Sequence, residues 1–190
     1  PYDLWGGLLL IPVLAVVCLP LLRWFLRKDL SHLYGVLATG FFLKLGGAIL
    51  RFYVFSKIYG GVADSGYYYV KGSDIAASVR AGNLSFWSAL PFARELGFMI
   101  RLTGTVLTVT GPTQLGAFLV FGTFGYWGTV FLVAAACRAV PGLDQRRYAL
   151  LCCLAPTLVF WPSSIGKEAW ILFATGIFSL GVSRLLRWDR

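Results

Sequence analysis

Long apolar runs separated by short polar segments dominate the chain. The runs cover residues 4–26, 33–59, 114–136, 148–161 and 169–186. About 20 consecutive apolar residues in a helix cross the roughly 30 Å hydrocarbon core of a bilayer. The pattern therefore predicts an all-α, polytopic transmembrane helix bundle of about five spans, the fourth of them short. Residues 1–190 are read as a single integral membrane domain.

The segment 60–112 breaks this pattern, because it is amphipathic rather than uniformly apolar. Its one apolar stretch, 98–110, is too short to span a bilayer and is interrupted by Arg101. Phe86, Trp87 and Phe92 are typical of the head-group layer. The segment is predicted to form an outer interfacial or re-entrant helical region.

Composition supports a membrane protein, since 58% of residues are apolar and only 13% are charged. A soluble domain carries about 25% charged residues. The chain begins at Pro1 rather than at Met, which leaves open that it is a fragment or a short relative of a longer protein.

The net charge of +9 would suggest nucleic acid as the partner of a soluble protein. Here most basic residues flank apolar runs, so they indicate topology and contact with lipid head groups, and no nucleic-acid partner is expected. With five spans, three basic clusters fall on one side, which the positive-inside rule makes the cytoplasm. These clusters are Arg23, Arg27 and Lys28; Arg138, Arg146 and Arg147; and Arg184, Arg187 and Arg190.

Cysteine and histidine offer no metal site. The four cysteines lie inside apolar runs, and the only histidine, His32, lies in a basic loop. No zinc-ligand spacing is present. All five are interpreted as structural or incidental; no cofactor is required, and a divalent metal is left open.

Two cations, Lys44 and Arg51, lie inside the second run, seven residues apart and so on one helical face. An ionisable group within a span costs at least about 2.5–3.5 kcal/mol. Both are expected to face a partner, a wet cavity or an anionic substrate. Snorkelling or a buried ion pair is the structural alternative.

Two polar clusters fall on the predicted outer side. The first contains Asp64, Tyr67 and Tyr68. Asp64 forms an Asx turn or a helix N-cap in the structural interpretation, and acts as a general base in the functional one. The tyrosines belong to an interfacial aromatic belt or stack on a sugar.

The second cluster is the turn WPSSIGKE, with Ser163, Ser164, Lys167 and Glu168. The serines cap the last helix in the simplest interpretation. The free N–H groups of that helix N-terminus, together with Lys167, would also suit an anion.

The order of an outer Asp, a Tyr-Tyr stretch, an amphipathic segment and a short span ending in LVFWPSSIGKEAWILF resembles GT-C-type membrane glycosyltransferases. It is also similar to related bacterial polysaccharide polymerases. The resemblance implies that Asp64 is the catalytic base and that Arg51, Arg101 or Lys167 holds the phosphate of a polyprenyl-phosphate sugar. Tyr67 and Tyr68 would line the sugar site.

The leading hypothesis is transfer of a sugar from a lipid-linked donor to an acceptor hydroxyl on the outer face of a bacterial inner membrane. A non-enzymatic accessory subunit or transporter component is the alternative, and a polymerase or ligase of lipid-linked glycans is a third reading. The expected partners are the donor, membrane lipids, and a membrane protein or a second copy of the chain.

Overall fold

The computed structural model describes residues 2–83 and 97–188, and these residues contain no β-strand. A 3₁₀ turn, Ser31–Leu33, precedes the second helix, and a π turn, Val54–Ile58, extends it. The helices, labelled in chain order, are α1 Tyr2–Leu26, α2 Tyr34–Tyr53, α3 Asp64–Arg80, α4 Gly97–Thr110, α5 Gln114–Ala139, α6 Gln145–Leu154, α7 Pro156–Phe160 and α8 Lys167–Trp188. The predicted all-α class is confirmed.

Four helices of the described ranges are long and apolar enough to cross a membrane: α1, α2 with its flanking turns, α5 and α8. They coincide with the predicted spans at 4–26, 33–59, 114–136 and 169–186. The short apolar helix α4 matches the stretch 98–110 that was judged too short to span. The predicted head-group residues Phe86, Trp87 and Phe92 lie outside the described residues.

The stretch 148–161 is not one helix, which corrects the predicted fourth span. It is divided between α6 and α7, and Ala155 between them has a non-helical ψ of 114°. Pro156 explains the break, because a proline ring disfavours helical geometry in the preceding residue. Neither piece is long enough to span on its own.

Helix α5 forms the centre of the bundle. In its most apolar window 72% of residues are buried, against 11% in α1 and 22% in α8. Contacts between α1 and α5 move toward the C-terminus of both helices at once: Gly7 lies against Leu115, and Phe25 lies against Trp127. Contacts between α5 and α8 also move toward the C-terminus of both helices at once. These three helices are therefore parallel, and α6 with α7 carries the chain back between α5 and α8.

The parallel arrangement brings the C-terminal ends of α1, α5 and α8 to one end of the bundle. There Arg138 lies 3.9 Å from Asp29, and α6 begins after the following turn. The described members of the three predicted basic clusters therefore share one end, which we call the basic end. The side chains of Arg187 and Arg190 lie outside the described residues.

Helices α3 and α4 pack closely at two glycines, Gly72 and Gly104. A Cβ on Gly72 would lie 2.9 Å from Thr103 Cγ2, so only glycine allows this approach. The guanidinium of Arg80 donates to the carbonyls of Leu107 and Thr108 in the last turns of α4. Because most of α4 is buried, it is an internal helix rather than a surface one.

Candidate functional site

A cavity of about 310 Å³ lies where the C-terminal part of α2, the start of α3 and the start of α8 meet. It is at the opposite end of the bundle from the basic end. Three separate chain segments supply its lining, which consists of Arg51, Ala63, Asp64, Ser65, Tyr68, Ser164, Ile165, Gly166, Lys167 and Glu168.

The start of α3 positions Asp64 at this cavity. Gly60 and Gly61 have φ values of 59° and 77°, which favour glycine and turn the chain sharply after α2. A Cβ on Gly66 would lie 2.6 Å from the Gly61 carbonyl oxygen, so the first turn of α3 packs on this loop. Asp64 is the first residue of α3, where a carboxylate is favoured, and it is exposed.

Arg51 reaches the cavity from α2. Its guanidinium carbon lies 4.6 Å from the ring centroid of Trp161 and 4.9 Å from that of Phe160. Its Nη1 atom is buried and has no hydrogen-bond partner among the described residues. A stacked, partly desolvated guanidinium with a spare donor is suited to binding an anion, since its fork of N–H donors matches the oxygens of carboxylate and phosphate groups.

Tyr68 forms part of the cavity wall and is only 1% exposed. Its hydroxyl has no partner among the described residues. Burial raises the pKa of Tyr68, and the carboxylates of Asp64 and Glu168 raise it further. The phenol therefore stays protonated at neutral pH and can donate a hydrogen bond into the cavity.

The turn 161–166 is shaped by a proline. In a continuing helix the N–H of residue 162 would bond to the Leu158 carbonyl, but Pro162 has no N–H. The ammonium of Lys44 donates to that carbonyl instead, and Ser163 Oγ donates to Val159 O at 2.5 Å. Lys44 and Ser163 thus satisfy the end of α7.

Lys44 therefore does not share the cavity with Arg51, which corrects the expectation that both cations face one polar chamber. It is 3% exposed, lies beside Gly125 of α5, and donates a hydrogen bond to the Leu158 carbonyl. Lys44 neither snorkels nor forms an ion pair within the described residues, since its buried ammonium donates to a backbone carbonyl.

The structure brings six of the nine predicted site residues to the cavity. They are Asp64, Arg51, Tyr68, Ser164, Lys167 and Glu168. Tyr67 is 48% exposed and does not line it. Arg101 is buried within α4 away from the lining, and Ser163 faces α7.

Four further residues line the cavity and were not predicted: Ala63, Ser65, Ile165 and Gly166. Each is a sequence neighbour of a predicted residue. Ser65 lies three residues before Tyr68, and this spacing places both on one face of α3. If residues 64–69 are assigned to a helix, Ser65 is predicted to lie on the same face as Tyr68.

The cavity is recessed from the end of the bundle. The Ser163 Cα lies 3.8 Å from where a Cβ of Gly122 would be, and Gly122 is eight residues into α5. The turn therefore lies about 12 Å below the start of α5. Asp64, Lys167 and Glu168 are exposed at the mouth, whereas Tyr68 and Ser164 are buried in the wall.

The lining can both hold an anion and accept a proton. Arg51 and Lys167 supply positive charge, and Asp64 and Glu168 supply carboxylates.

The described side chains contain no cluster of three or more potential metal ligands of the His, Cys, Asp and Glu type. The four cysteines are free thiols.

The fold and the apolar helices thus define an all-α helical bundle of the membrane-protein class. A scan against protein-family models and searches of curated proteins and of solved structures return no match to this chain.

Proposed function

We propose that this protein is a glycosyltransferase of a bacterial inner membrane that uses a polyprenyl-phosphate sugar on the outer face. The observation that carries the proposal is the convergence of Asp64, Arg51 and Lys167 on one recessed cavity. The resemblance of the Asp64 and WPSSIGKE segments to GT-C-type enzymes supports the same conclusion.

In the proposed reaction the acceptor hydroxyl attacks the anomeric carbon of the sugar. Asp64 takes the hydroxyl proton, and the bond between the anomeric carbon and the phosphate oxygen breaks. The polyprenyl phosphate leaves with the bonding electron pair. Arg51 and Lys167 stabilise the negative charge that builds on it, where preorganised donors have their largest effect.

Tyr68 and Ser164 have a separate role in this proposal. Both are buried in the cavity wall and carry hydroxyl groups. They would hydrogen-bond to the sugar hydroxyls and orient the anomeric carbon toward the acceptor. A positive-inside orientation places the cavity on the outer face, because the basic end lies opposite.

The test compares Asp64→Asn with Asp74→Asn, an exposed carboxylate on the same helix. The purified protein is reconstituted in nanodiscs of bacterial lipids with radiolabelled polyprenyl-phosphate hexoses, and polyprenyl phosphate release is measured. Asp64→Asn should lower turnover about 10²–10⁴-fold while donor binding and the unfolding temperature stay unchanged. Asp74→Asn should behave as wild type.

Equal turnover in the two variants would contradict the proposal, as would a wild type that consumes no donor. Loss of assembly or expression in Asp64→Asn, with no turnover in wild type, would favour the accessory-subunit alternative. Consumption of lipid-linked glycans in place of single sugars would favour a polymerase or ligase.

A further inference from the structure

A second cavity, of about 750 Å³, lies near the basic end, between the first turns of α2 and helix α6. Ligand sites in proteins typically measure about 300–1,000 Å³. None of its lining residues belongs to the candidate site. We call it the α2–α6 groove.

Two glycines of α2 border the groove, where α2 faces α6. A Cβ on Gly40 would lie 2.5 Å from Cys153 Sγ. At Gly35, more than one turn nearer the basic end, no atom lies within 4 Å of the Cβ position. The two helices therefore touch at Gly40, and the groove runs past this contact from His32 to Leu43.

The long wall of the groove is apolar and faces outward. Val36, Leu43, Leu150 and Leu154 line it, and the three leucines are 39%, 37% and 58% exposed. From His32 to Leu43 the wall extends about 16 Å along α2. In a membrane this outer face of a spanning helix is in contact with acyl chains.

Arg146 carries positive charge at the end of the groove nearest the basic end. His32 and Arg146 line the groove there, and both are exposed. Arg146 makes no ion pair or hydrogen bond within the described residues, whereas the adjacent Arg147 pairs with Asp144 at 3.0 Å. An unpaired cation above an apolar wall complements a molecule with an anionic head and a hydrocarbon tail.

We propose that the α2–α6 groove binds one anionic phospholipid. Arg146 and the imidazole of His32 hold the head-group phosphate, and an acyl chain lies against the leucines. The occupant belongs to the leaflet at the basic end, the opposite leaflet from the candidate site. The proposal does not depend on the transferase function.

The test measures lipid retention by native mass spectrometry after nanodiscs of equal phosphatidylglycerol and phosphatidylcholine are exchanged into mild detergent. Wild type should retain one phosphatidylglycerol in preference to phosphatidylcholine. Gly35→Phe, which fills the groove, should abolish retention. Gly46→Phe is the matched control, because Gly46 lies on the same helix with no atom within 4 Å of its Cβ position and does not line the groove.

The charge contribution is tested by Arg146→Gln against Arg147→Gln. Arg146→Gln should weaken phosphatidylglycerol retention about fivefold, and Arg147→Gln should not. Equal retention of the two lipids by wild type, or equal retention by Gly35→Phe and Gly46→Phe, would overturn the proposal. So would equal effects of the two arginine variants.

Discussion

Lys44 and Arg51 lie on the same helix, seven residues apart, yet their surroundings give them different roles. Lys44 is enclosed in the bundle and donates to the Leu158 carbonyl that Pro162 leaves without a donor. Arg51 stacks on Trp161, and its buried Nη1 beside the cavity has no hydrogen-bond partner among the described residues. An ionisable residue in a span thus indicates function only when its donors are not already used by the fold.

The largest expected effect comes from removing the cavity cation. Arg51→Gln should lower transfer by about 10²–10³-fold, the usual loss when one preorganised donor to a developing charge is removed. Turnover is measured in the nanodisc assay, and the unfolding temperature should stay within error of wild type. Arg51→Lys keeps the charge and should recover part of the activity. If Arg51→Gln instead destabilises the protein and leaves turnover per folded molecule normal, Arg51 has a structural role like that of Lys44.

Crowding the Lys44 region should destabilise the fold next most strongly. A Cβ on Gly125 would clash with the Pro162 carbonyl oxygen and lie 3.1 Å from Lys44 Cε. Gly125→Leu should therefore lower the free energy of unfolding by about 3 kcal/mol, measured by denaturant titration in detergent. Gly181→Leu, on the exposed side of α8, is the control. Equal stability of the two variants would show that α5 and the turn 161–166 are not in close contact.

Replacing the capping lysine should have a smaller effect. Lys44→Met keeps the side-chain length but leaves the Leu158 carbonyl without its donor, which costs about 1–3 kcal/mol for a buried acceptor. The loss is measured in the same titration. Turnover per folded molecule should stay within about twofold of wild type. A large fall in turnover at unchanged stability would show that Lys44 acts in the reaction and does not differ from Arg51 in role.

The smallest effect concerns pH. Because the folded state raises the pKa of Tyr68, the phenol is favoured in the fold, and stability falls as pH rises above the unfolded value of about 10. Tyr68→Phe removes the phenol and with it this contribution to the pH dependence of stability. Its unfolding temperature should fall less than that of wild type between about pH 8 and about pH 11. Tyr67→Phe, at an exposed ring, should follow wild type.

Most of the fold could be predicted from sequence because spanning helices are a local property. Length and apolarity alone locate α1, α2, α5 and α8. The stretch 148–161 is different, because α1 continues through Pro12 and Pro20 whereas the chain breaks at Pro156. A proline in an apolar run therefore does not by itself decide between a kink and a break.

The candidate site was only partly predictable. Tyr67, Tyr68 and Tyr69 are consecutive in sequence, and successive residues of a helix point about 100° apart, so one can face the cavity while its neighbours do not. The phase of α3 depends on its packing at Gly72 against α4, a tertiary contact. The burial of Arg101 in α4 is likewise a tertiary property that the local sequence does not give.

The parallel course of α1, α5 and α8 has an electrostatic consequence. Each helix carries a macrodipole equivalent to roughly half a positive charge at its N-terminus and half a negative charge at its C-terminus. Antiparallel neighbours cancel these fields, but three aligned helices add them. The C-terminal part of α2 brings an opposing pole to the end that holds the cavity, so it offsets part of the positive field of the three aligned N-termini there. At the far end, arginines such as Arg23 and Arg138 offset the accumulated negative poles.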